Sequence, residues 1–70
     1  MLYRSDSLKN FLQTQNGKTV TVKLVSGETL QGVVGSVDEQ SLYLSKLAGQ
    51  EFYDALVRLE AIAAIVFKVR

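Results

Sequence analysis

Val20, Val22 and Leu24 alternate with Thr19, Thr21 and Lys23, a period of two carried largely by β-branched residues, which commits this part of the chain to a half-buried strand. Ser26-Gly27 follows as a tight-turn signal, and Leu30, Gly32 and Val34 then resume on a single parity. The two runs predict an antiparallel hairpin. Val33 and Val37 fall on the opposite parity, with Gly32 and Gly35 interleaved, as expected of a long strand that bends sharply and changes the side it buries. Such a bend predicts a small barrel.

The flanking segments fill in the rest. Leu8, Phe11 and Leu12 have the spacing of one helical face, Asp6 or Ser7 offers an N-cap, and Asn16-Gly17 offers a left-handed stop, so a helix is expected over residues 5–15. Leu42 and Leu44 alternate with Tyr43 and Ser45 between two polar breaks, Asp38-Glu39-Gln40 and Ala48-Gly49-Gln50, which predicts a third strand. Residues 51–70 admit two readings. Phe52, Leu56, Leu59 and Ala63 have helical spacing among strong helix formers, whereas Phe52-Tyr53, Val57, Ile62, Ile65-Val66-Phe67 and Val69 are β-branched and aromatic. Two strands hinging near Glu60 complete a five-stranded barrel over 18–69, and that reading is adopted over a helix buried on one side of a monomer.

Seventy residues make one small domain, and 47% hydrophobic with 21% charged residues describes a compact fold rather than a disordered tail. The longest apolar run, residues 61–67, is too short to cross a bilayer, and the opening residues do not read as a leader, so a cytoplasmic protein is expected. The chain has no cysteine and no histidine, which excludes disulfides, thiol nucleophiles, His-dependent triads and the usual structural zinc sites. A net charge of +1 does not advertise a polyanion ligand, so any such site must be local. A domain of this size buries only about 60% of its unfolded surface, and association with further copies is the expected source of additional stability.

The pattern Val20-x-Val22-x-Leu24-x-x-Gly27-x-x-Leu30-x-Gly32-x-Val34-x-x-Val37-Asp38 resembles the first motif of the Sm-like family, which includes the Sm, LSm and bacterial Hfq proteins. Ser26-Gly27-Glu28-Thr29-Leu30-Gln31-Gly32 is similar to the Hfq branch, and Val57-Arg58-Leu59-Glu60-Ala61-Ile62-Ala63-Ala64-Ile65 is similar to the Sm and LSm second motif. The resemblance implies a mostly β fold, with an N-terminal helix capping a strongly bent five-stranded antiparallel SH3-like barrel. It also implies a homo-oligomeric ring, hexameric or heptameric, in which the fourth strand of one subunit pairs with the fifth of the next. The residues supply their own reason for such pairing. Residues 61–67 are apolar on both parities and contain neither proline nor charge, and an exposed edge of that kind aggregates unless it is paired.

In the family, single-stranded RNA lodges at the inner rim of the ring, on an Asp, a stacking aromatic or His, an Asn and the Arg of the second motif. The matching positions here are Asp38, Gln40, Leu42 and Arg58, with Leu59 where the family has Gly. Gln40 provides no ring for a base to stack on, and Leu42 has no donor or acceptor with which to read a base edge. Asp38 and Arg58 fit an RNA-contacting pair or a structural ion pair. Tyr43 and Tyr53, interleaved with Lys46 and Arg58, fit either a stacking surface or the filling of a subunit seam. Lys9, Lys18 and Lys23 with Arg4, and Lys68 with Arg70, are read as basic or simply solvated faces.

Asp38-Glu39 is a pair of adjacent carboxylates that a strand splays apart, and Val33-Val34 follows Gly32 where a phosphate loop has Lys and Ser or Thr. No catalytic constellation, cofactor, metal, membrane partner or small-molecule substrate is expected. An RNA-binding ring and a ring serving protein interaction or architecture without RNA are the two functions left open.

Overall fold

The structure, a computed structural model, describes residues 4–50 and 52–69, with side chains from residue 7 onward. The expected positions Arg70 and Glu51, and the side chains of Arg4 and Asp6, lie outside the described residues. Helix α1 spans Arg4–Thr14 and is followed by strands β1 (Thr19–Leu24), β2 (Thr29–Val37), β3 (Ser41–Ser45), β4 (Ala55–Arg58) and β5 (Ile62–Phe67), with a 3-10 turn at Leu59–Ala61 between the last two. The helix starts ahead of Asp6 and Ser7, so these two residues lie within it and do not cap it. Its end is as expected: Gly17 takes a positive φ of 84° and its N–H donates to the Val34 carbonyl at 2.8 Å, seating the turn on β2.

The five strands form one antiparallel sheet in the order β4-β3-β2-β1-β5. Chain connectivity forces this sheet to curl. Laid flat, β4 and β5 stand four strand spacings apart, about 19 Å, yet the 3-10 turn Leu59–Ala61 alone joins them, and the four residue steps across it reach at most about 14 Å. The turn is pinned on both sides of the curl: Leu59 N–H donates to the Gln40 carbonyl and Val25 N–H to the Ala61 carbonyl, each at 2.8 Å.

Bending is concentrated where the glycines predicted it. The β2–β3 register slips between Val34 and Ser36, placing a bulge at Gly35, and a second slip occurs on β1 between Lys23 and Leu24 opposite β5. At Gly32 a Cβ would stand 2.9 Å from the Ser45 carbonyl oxygen and 3.1 Å from Leu47 Cδ2, so only glycine lets β2 approach β3 this closely.

The enclosed core consists of Leu12, Val20, Val22, Val34, Leu42, Leu44, Leu47, Val57 and Leu59, with Leu8, Phe11, Ile62 and Ile65 packed against it. β1 and β3 bury one parity each, whereas β2 turns Val37 inward beyond its bulge and β5 packs Ile62 and Ile65, of opposite parity, on either side of its own irregularity at Ala63. Phe11 lies against Phe67 with ring centroids 4.6 Å apart and planes inclined by 56°, which closes the helix over the end of β5. Lys9 Nζ meets Glu39 Oε2 at 2.9 Å and ties the same helix to the β2–β3 turn. The two-strand reading of the C-terminal third holds, and the competing helical spacing of Phe52, Leu56, Leu59 and Ala63 does not produce a helix.

Candidate functional site

Two turns meet beside the helix: the β2–β3 turn carrying residues 38–40 and the corner between β4 and β5. Between them lies a groove of about 480 Å³ lined by Leu8, Glu39, Gln40, Arg58, Glu60 and Ile62, with Leu59 at its base. The groove brings Gln40 and Arg58 together. It does not pair Arg58 with Asp38.

Asp38 is engaged by its own turn. Its Oδ1 accepts the N–H of Gln40 at 2.9 Å and that of Ser41 at 2.8 Å, an Asx arrangement that fixes the reversal from β2 to β3. Those two backbone donors, Gln40 first, hold the Asp38 carboxyl below its usual range, with a smaller contribution from Lys9. Asp38 therefore acts as the anchor of a turn.

Arg58 Nη2 instead meets Glu60 Oε2 at 2.9 Å, both side chains being mostly exposed. Glu60 reaches Arg58 from the 3-10 turn that directly follows β4, a placement that strand periodicity does not signal. Glu60 and Glu39 set two carboxylates around the single guanidinium, so the groove lacks the positive excess that draws phosphates. Leu42 is wholly buried and Leu59 nearly so; the positions where the family reads a base edge and turns on glycine are filled here by core side chains.

Tyr43 and Tyr53 lie elsewhere. Tyr43 projects from the outer face of β3, covers Gly35 and donates its hydroxyl to Asp54 Oδ2, while Asp54 Oδ1 accepts the Lys46 N–H at 3.2 Å. The hydrogen bond to Asp54 is the main reason the Tyr43 phenol is pushed above its usual value, with desolvation and the carboxylate's charge adding to it. Lys46 accommodates this contact at a left-handed φ of 53°. Tyr53 sits in the loop before β4, where its N–H donates to the Gln50 carbonyl at 2.9 Å and its carbonyl accepts from Leu47 N–H at 3.3 Å. The tyrosines are thus on the outer sheet face and its adjoining loop, not in the Gln40–Arg58 groove.

Among the described residues no cluster of three or more acidic side chains is placed to hold a metal ion, and no helix is long and apolar enough to cross a membrane.

No protein-family profile and no curated protein matches the sequence. Among solved structures, the crystal structure of a novel Sm-like archaeal protein from Pyrobaculum aerophilum is similar, with a TM-score of 0.74 and 29% sequence identity over 89% of this chain. The match takes in 52% of that protein, so this chain spans about half its length. The element order, the bent second strand, the corner between β4 and β5 and this likeness agree with one another, and the chain has the Sm-like fold.

Proposed function

We propose that this chain is the subunit of a homo-oligomeric Sm-like ring, hexameric or heptameric, that contacts single-stranded RNA along its rim through Gln40 and Arg58 without base stacking, and that it carries out no reaction of its own. The observation that supports the ring is the state of the sheet's two ends: β4 and β5 are the outer strands, and among the described residues neither has a strand on its outer side. Leu56 on β4 and Val66 on β5 are large apolar residues more than half exposed there. A strand edge of this character invites a further strand, and head-to-tail pairing of identical subunits closes only as a ring.

The rim chemistry separates two versions of this function. Arg58 and Gln40 are the groups in the groove suited to phosphate and base edges, but Glu60 already satisfies Arg58. That pair favours, as the second reading, a ring that works through protein contacts or architecture alone. Anisotropy titrations with short RNA oligomers at two salt concentrations distinguish them. The RNA reading expects binding that weakens steeply with salt, is reduced further by Arg58→Ala and is strengthened by Glu60→Gln. Undetectable binding at low salt, or binding unmoved by Arg58→Ala, rejects the RNA rim and leaves the interaction ring.

A further inference from the structure

Phe52 is 98% exposed, with Tyr53 at 65% and Leu56 at 71%, so the loop entering β4 and the strand itself present a row of large side chains to solvent. A phenyl ring left fully in water forfeits the burial that is its main contribution to any fold. In sequence the pair is bracketed by carboxylates, as Glu51-Phe52-Tyr53-Asp54.

The opposite end of the sheet has the complementary character. Beside β5 lies a groove of about 720 Å³ with Val66, Phe67 and Val69 on one side, the polar side chains of Gln15, Thr19, Thr21 and Gln31 on the other, and Lys18 and Lys68 in its walls. Phe52 and Tyr53 of the same chain are not among its lining residues. Strand polarity brings the two features together between copies. When β4 of one copy pairs antiparallel with β5 of the next so that Ala55 at the start of β4 runs beside Phe67 at the end of β5, Asp54 and Tyr53 come up against Lys68 and Val69, with Phe52 directly after them.

Resting on the ring reading above, we propose that Phe52 and Tyr53 of one copy seat in the Val66–Phe67–Val69 groove of the next, an aromatic anchor that adds side-chain burial to the paired edges. The occupant is a second copy of this chain. The anchor explains why so small a subunit leaves its bulkiest side chains in water, because the ring buries them.

Phe52→Ser tests the anchor cleanly, since a ring that touches little within its own subunit can be removed without unfolding it. The oligomer should dissociate on dilution at a concentration raised about tenfold or more, whereas Val25→Ser, at another exposed residue in the β1–β2 turn, should leave dissociation unchanged. The absence of native cysteine permits a second readout. Co-refolding Phe52→Cys with Val69→Cys and oxidising the mixture should give a disulfide-linked pair of the two variants that neither forms alone. An oligomer that dissociates like the parent after Phe52→Ser, or that yields no 52–69 cross-link, overturns the anchor while leaving the ring in place. A chain that stays monomeric at every concentration overturns the ring reading and the anchor with it.

Discussion

Gly32 shows how one residue sets the curvature of the whole. A methyl group there meets the Ser45 carbonyl oxygen at 2.9 Å, and backbone of the paired strand cannot yield as a side chain can. Gly32→Ala should therefore destabilise the subunit by about 1–3 kcal/mol, read as a lower denaturant midpoint, and Gly32→Val should unfold or aggregate it. A soluble Gly32→Val variant of unchanged stability contradicts the bent strand. Asp38 makes a prediction about pH. Its carboxyl is held low by the N–H groups of Gln40 and Ser41, so the folded value lies below the unfolded one. The stabilisation is complete above the ordinary value of 3.8 and is lost as pH falls through the depressed value. Asp38→Ala should lower stability at neutral pH, and its deficit against the parent should shrink under acid in denaturant titrations. Tyr43 has the opposite sign: its raised phenol contributes at neutral pH and loses that contribution as pH climbs through the raised value. An ultraviolet titration should find the Tyr43 phenol ionising late, and Asp54→Asn should bring it back toward the ordinary value of 10.0.

At the scale of elements, the strands were legible because their burial is one-sided. Val20 and Val22 on β1 and Leu42 and Leu44 on β3 are buried at every second position, and period-two alternation states this directly. The bend in β2 was legible through Gly32 and Gly35. The helix expected over 5–15 is observed over Arg4–Thr14 with its C-terminal stop in place, but Asp6 and Ser7 only resemble caps, because the chain is already helical from Arg4. Over residues 52–63 local propensity and tertiary pairing disagree, and pairing of β4 with β3 and of β5 with β1 wins. The site was less readable. Gln40 and Arg58 were brought together by the family resemblance. The Arg58–Glu60 pair depends on the 3-10 turn after β4, and the Tyr43–Asp54 bond spans a loop and depends on how the loop folds back, so neither is written in strand periodicity. Helix packing supplies a test at this scale. Leu12 is wholly buried in the core, and Leu12→Ala should cost about 2–5 kcal/mol, whereas breaking the exposed Lys9–Glu39 pair should change stability by no more than about 1 kcal/mol.

For the molecule as a whole, the subunit is a closed core with unfinished edges. Its buried residues are all apolar, with no buried polar or charged group among the described residues. Apart from Val25 and Tyr43, the large apolar side chains it leaves exposed lie at the two ends of the sheet: Leu56 with Phe52 and Tyr53 ahead of it, and Val66, Phe67 and Val69 along and after β5. In the proposed ring, a second chain would cover these side chains. Native mass spectrometry over a dilution series puts this to the most direct test. The account predicts one discrete closed species of six or seven subunits, reached without a ladder of larger aggregates; a lone 7.7 kDa species persisting at high concentration contradicts it.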